Sequence, residues 1–245
     1  MARILLEVCV DDPDGLAAAV AGGADRIELC AALGLGGLTP TAGLMAVAAR
    51  CGVPCYPMIR PRAGACVYSA AEVGVMRGDI RAARAAGVPG VVLGALRGDG
   101  RLDGAVLAEL MAEAAGMDVT LHRAIDLCPD KGEAVDLAMA LGIRRILTSG
   151  GARTAAEGVA VLAAMMARAG EACVIMPGSG ISVQSLAALA DLPLREVHAS
   201  CSSAVAVGGQ AFGGRVVAFG FQSGAERRTD RGKVAALKAA LAARF

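Results

Sequence analysis

The stretch ILLEVCVDDPDG, residues 4–15, decides between two α/β architectures. Residues 4–10 form a short apolar run with one acid and one thiol in it, followed at once by Asp11, Asp12, Pro13, Asp14 and Gly15. Such a run reads as a strand, and the polar, proline-bearing segment as the turn into a helix. A doubly wound dinucleotide fold would carry G-x-G-x-x-G at this first turn, where the backbone must approach a pyrophosphate. The turn holds three aspartates and one glycine instead. That favours the closed barrel over the doubly wound open sheet, the alternative in which strands and helices also alternate.

Seven further runs repeat the pattern: RIELC (26–30), CYPMIR (55–60), GVVLGAL (90–96), DVTLHRAI (118–125), RRILTS (144–149), CVIMP (173–177) and REVHAS (195–200). Between them lie Ala- and Leu-rich helical stretches such as those at 69–86 and 154–169. Gly23, Gly87 and Gly142 each close a helical stretch shortly before a strand, where glycine accepts the left-handed conformation of a helix end. Ser69 and Thr154, each with Glu three residues on, read as helix N-caps. Eight runs too apolar for a sheet wet on one face predict an α/β fold, a (β/α)8 TIM barrel, in a single domain over 1–245. The one long irregular segment, 202–232, precedes the last helix and is expected to fold over one end of the barrel.

Composition excludes several functions. The net charge of +1 supplies no field for nucleic acid or an anionic membrane, and with no Trp, two Tyr and four Phe there is little on which bases could stack. Residues 29–49 carry no charge, yet GLGGLTPTAG within them reads as a loop rather than a membrane span. The apolar run before Asp11 is too short for a signal peptide, so the eight cysteines are expected as free thiols in the cytoplasm. Cys51 and Cys55 form a lone C-x3-C pair, which reads as packing at a helix-to-strand joint.

Polar residues gather where the strands end, the end at which barrels carry their chemistry. Strand 1 offers Glu7 and Cys9, strand 2 Glu28 and Cys30, strand 3 Arg60 and Arg62, strand 5 His122, Arg123 and Asp126, and strand 8 His198. Both histidines of the chain are among them. A carboxylate inside a barrel must be paired or neutralised, and Glu28 with Arg60 on the next strand is the expected pair. Glu7, Glu28, His122, Asp126 and His198 are candidates for proton transfer, with Arg60 and Arg62 as an anion clamp. TSGG and PGSG after strands 6 and 7 place the N–H groups of Ser149, Gly150, Gly151, Gly178, Ser179 and Gly180 where they either cradle an anion or only permit tight turns. The only lysines, Lys131, Lys233 and Lys238, fall outside the strands, which argues against Schiff-base chemistry.

Taken together, ADRIELC with GGLTP, MIRPR, HRAID, RILTSGG, PGSGI and EVHAS resemble the CutC family in order along residues 4–200. The resemblance implies a TIM barrel, a cytoplasmic and often oligomeric protein, and copper binding or tolerance. The chain departs from the family pattern at Ala32 and Leu35, where Asn and Glu are usual, and in smaller ways at Ile125 and Ser179. Two functions follow as expectations. In the first, Cu(I) sits on thiolates near the barrel mouth, Cys30 first and Cys9 second, with His198 as a further donor and no organic cofactor. In the second, the same mouth is the active site of an isomerase, lyase or hydrolase for a small anionic metabolite, phosphorylated compounds included.

Overall fold

The structure, a computed structural model, describes residues 3–205, 213–220 and 226–245. Eight short strands are parallel: β1 (Leu5–Val10), β2 (Arg26–Leu29), β3 (Cys55–Pro57), β4 (Gly90–Leu93), β5 (Asp118–Leu121), β6 (Arg145–Thr148), β7 (Val174–Pro177) and β8 (Glu196–Ala199). They run in the orders β3-β2-β1-β8 and β4-β5-β6-β7. Ile59 N–H donates to the Val92 carbonyl at 2.7 Å and Met58 bridges to Val92, which joins β3 to β4, while β7 lies against β8. The strands thus close on themselves as a (β/α)8 barrel.

Helices α1 (Pro13–Ala21), α2 (Ala42–Ala48), α3 (Ala70–Ala86), α4 (Gly104–Glu113), α5 (Lys131–Ala140) and α6 (Val159–Ala169) surround the strands. Their starts are written in side-chain caps: Asp12 accepts from Gly15 N–H at 2.7 Å, and Ser69 with Glu72 forms a reciprocal capping box on α3. Gly23, Gly87 and Gly142 all stand at positive φ just past a helix. Thr154 departs from expectation. Its Oγ accepts from Glu157 N–H, but α6 begins only after Gly158. A Cβ on Gly158 would stand 1.9 Å from the Ser149 carbonyl oxygen, so the chain must first pass the β6 turn at close range.

Within 202–232, β9 (Ser202–Val205) and β10 (Glu226–Thr229) pair antiparallel beside α1, and a short α7 (Gly213–Ala218) lies between them in sequence. The rest of that segment, 206–212 and 221–225, lies outside the described residues. α8 (Arg231–Arg244) then packs on α1, with Val234 against Gly22.

Side chains alternate along each strand, and the alternation divides the molecule into two interiors. Leu6, Val8, Ile27, Leu29, Val91, Leu93, Leu121 and Ile146 face the helices and are fully buried with Met76, Ile80, Leu107 and Leu162. Each such side chain contributes about 1.5–3 kcal/mol by leaving water. The opposite parity points into the barrel, where a second, small apolar cluster holds only Cys30, Tyr56, Met58 and Val92, with Leu33 packed against it. Most of that inner space is polar.

Candidate functional site

The layer nearest the strand starts is an ion network. Arg26 pairs with both Glu7 and Glu196, and Arg145 pairs with Glu196 at 2.6 Å and Asp118 at 3.0 Å. The Tyr56 hydroxyl donates to Asp118 at 2.8 Å, and its ring lies 5.3 and 5.6 Å from the two guanidinium carbons. Each carboxylate here has a cation, which is the condition for holding charge in a barrel. Sequence reading did not single out Arg26, Arg145 or Glu196. The period of two would have found Arg26 and Glu196, since Arg26 precedes Glu28 by two residues and Glu196 likewise precedes His198.

Glu7 links this layer to the one above. Its carboxylate takes the Arg26 guanidinium on one oxygen and His198 Nδ1 on the other at 2.8 Å. Burial pushes its pKa up, but Arg26 and His198 outweigh that and hold it at about 2. The β1–β2 and β1–β8 registers set Cys9 opposite Glu28 and Glu7 opposite His198. Cys9, Glu28 and His198 therefore converge, with one donor atom of each within 4.8 Å of the others and all three residues buried. Burial opposes charge on His198, yet the neighbouring Glu28 and Cys9 raise it well above the ordinary imidazole value. Glu28 is raised by burial and by Glu7, against the pull of His198.

Cys30 is fully buried and hydrogen-bonds Glu28 Oε2 at 3.7 Å, outside the three-donor group. Burial first, then Glu28, pushes its thiol pKa well up. The expected Glu28–Arg60 pair does not form. Arg60 donates instead to the carbonyls of Leu35, Gly37 and Gly64, closing the loops after β2 and β3. The inward turn of β2 carries Glu28 toward β1 and β8, while Arg60, beyond the end of β3, reaches along the rim.

Above the three donors opens a cavity of about 430 Å³, whose walls include Cys9, Glu28, His198, Met58, Arg60, His122, Arg123 and Leu147. His122 caps a 3-10 turn, Arg123–Leu127, its Nδ1 accepting Ala124 N–H at 3.1 Å. Burial, then Arg60, lowers its pKa to about 4. It is neutral, and because Nδ1 accepts, the proton sits on Nε2.

Asp126 plays a different part from the proton transfer expected of it. Its carboxylate accepts from Ser149 N–H at 3.0 Å, Gly151 N–H at 3.1 Å, the Ser149 and Thr148 hydroxyls and Arg123. Gly150 N–H goes to Thr148 Oγ at 2.9 Å. The TSGG turn does cradle an anion, and that anion is the protein's own. In PGSG, Gly178 N–H donates to the Thr148 carbonyl, and the Ser179 hydroxyl to that of Arg153, so this turn ties β7 to the loop after β6. Gly180, at φ +72°, packs against Thr154. Arg62 pairs with the capping residue Glu72 and donates to the carbonyls of Ala65 and Val67, fastening the loop before α3 outside the cavity. Cys51 and Cys55 lie with sulfurs 3.3 Å apart, a thiol–thiol contact with no third donor in metal-binding range among the described residues.

Comparison with known proteins agrees with this architecture. The CutC family model matches residues 4–203. A CutC family protein of Sinorhizobium medicae is 57% identical over 242 residues, 98% of this chain and 97% of its own. A second, from Caulobacter vibrioides, is 52% identical over 81% of each chain. Among solved structures, the CutC protein of Streptococcus agalactiae, provisionally assigned to copper homeostasis, superposes with a TM-score of 0.77 at 28% identity, covering 80% of this chain and 98% of that one. The thiamine phosphate pyrophosphorylase of Pyrococcus furiosus, 12% identical with a TM-score of 0.61 over 99% of this chain and 97% of its own, shares the fold. The barrel, the ordered motifs and these matches make the chain a member of the CutC family.

Proposed function

We propose that this CutC-family protein serves copper homeostasis by holding Cu(I) between Cys9 Sγ and His198 Nε2, with Glu28 as the third side of the site. One observation carries the reading: the three donors lie within 4.8 Å of one another, and the Glu7 carboxylate stands behind His198 Nδ1. A carboxylate on the far ring nitrogen fixes an imidazole as a ligand, because it holds the proton on that side and leaves the other lone pair free. Thiolate is the soft donor that selects Cu(I), and imidazole is compatible with it. Cys30, one hydrogen bond behind Glu28, positions that carboxyl rather than meeting the metal first. The eight cysteines, none of them in a disulfide, suit the reducing cytoplasm in which Cu(I) persists.

The ion displaces protons from Cys9 and His198, so affinity rises with pH. The test is an anaerobic Cu(I) competition titration of the reduced protein. One ion per chain is expected, lost in Cys9→Ser and in His198→Gln but only weakened in Cys30→Ser. Binding indifferent to Cys9, or a preference for Zn²⁺ over Cu(I), overturns the reading.

An enzymatic reading is favoured by a separate observation. Glu28, pushed toward its neutral form, and His198, backed by Glu7, line one cavity, two proton-carrying groups within reach of a single ligand. It predicts that a metabolite turned over by the wild type is bound but not converted by Glu28→Gln.

A further inference from the structure

A copper ion among Cys9, Glu28 and His198 leaves the His122 and Arg60 side of the cavity wall unexplained, and it needs only one Glu28 oxygen. His122 Nε2 and Glu28 Oε1 are buried and have no hydrogen-bond partner among the described residues, although both side chains line the cavity. Their residues are only 5% and 4% exposed. The His122 ring is held firmly. Its Nδ1 takes the Ala124 N–H, and it lies so close to β4 that a Cβ on Gly94 would stand 2.5 Å from its Cε1. With Nδ1 accepting, Nε2 carries the hydrogen and has no lone pair for a metal. It is a fixed donor on a side chain that lines the cavity. Arg60, on the same wall, donates only to neutral carbonyls and makes no ion pair among the described residues. A buried polar atom left unmatched costs about 1–3 kcal/mol, so two on one cavity call for an occupant that satisfies both.

We propose that the cavity takes a small hydroxylated anion, a hydroxycarboxylate or a polyol phosphate. One of its oxygens accepts from His122 Nε2–H, a hydroxyl meets Glu28 Oε1, and its charged group lies toward Arg60. A hydroxyl can donate or accept, so it matches Glu28 in either protonation state. The cavity's roughly 430 Å³ suits a ligand at the small end of the ordinary range. The inference rests on the enzymatic reading and deepens it by naming the ligand class and the donor; it shares Glu28 with the copper site and is tested without copper.

The experiment titrates D-glycerate and glycerol 3-phosphate separately into the metal-free full-length chain, followed by calorimetry and by the ¹⁵N resonances of labelled histidine. His122→Asn is the informative variant, since Asn still caps the 3-10 turn but lacks the Nε2–H. Saturable binding of either anion is expected, with a shift of the His122 Nε2 resonance and about tenfold weaker binding in the variant. Binding of glycerate alone assigns a carboxylate to the Arg60 side, and binding of glycerol 3-phosphate alone assigns a phosphate. Absence of saturable binding by both anions, an unmoved His122 resonance, or equal affinity in His122→Asn overturns the proposal. Turnover absent in the presence of such binding would overturn the enzymatic reading alone.

Discussion

Gly94 determines where the His122 ring can lie. A methyl group there would meet Cε1 at 2.5 Å and Nδ1 at 2.7 Å, so Gly94→Ala must displace the ring or the strand. Overpacking of this kind costs about 1–3 kcal/mol, expected as a lower urea midpoint. An unchanged midpoint would show that the ring is not held as described. The protonation of His122 is testable on the same axis. The unfolded chain protonates this imidazole near pH 6.5, whereas the folded one holds off until about pH 4. Its contribution to stability is therefore complete above 6.5 and is lost as pH falls toward 4. The urea midpoint should fall more steeply across that window in the wild type than in His122→Asn. Effects of His198 have the opposite sign but are common to both proteins, so equal slopes would contradict the assignment.

The turn after β6 shows what an element can hide from sequence. TSGG reads as an anion cradle, and its N–H groups do hold one, but the anion comes from Asp126 on the 3-10 turn after β5. Nothing in the spacing between Asp126 and Ser149 announces that their elements adjoin; only barrel order brings them together. Asp126→Ala strips partners from Ser149 and Gly151 N–H at a site where the carboxylate is 8% exposed. A loss of about 1–3 kcal/mol is expected, with faster hydrogen exchange at those two amides than in the wild type. Exchange unchanged at both would mean that Asp126 does not hold the turn. The start of α6 was misread for a related reason, because Thr154 has the residues of a cap while Gly158 answers to a tertiary contact.

At the scale of the whole molecule, alternation of strand and helix was enough to recover the barrel, since eight apolar runs with glycine-ended helices between them leave few other closures. The inward parity of the strands was not fixed by those runs, because both faces are buried and apolar residues fall on each. Hence Glu7, Glu28, Cys9 and His198 were singled out, while Arg26, Arg145 and Glu196, one layer down, were not. That lower layer ties β1, β2, β5, β6 and β8 across the barrel. Arg26→Met leaves two buried carboxylates without their shared cation, and a loss of about 3–5 kcal/mol is expected in urea unfolding. Adding Glu7→Gln and Glu196→Gln to it should restore part of that stability. A loss within about 0.5 kcal/mol would show that the network does not support the fold. The same layer presents Glu7 to His198, so the fold and the proposed metal site share one residue. The most direct test of that site is X-ray absorption at the copper edge of the reduced, Cu(I)-loaded protein. The account predicts one sulfur and one imidazole nitrogen around copper, with the sulfur gone in Cys9→Ser. Two sulfurs without imidazole, or no sulfur at all, would contradict it.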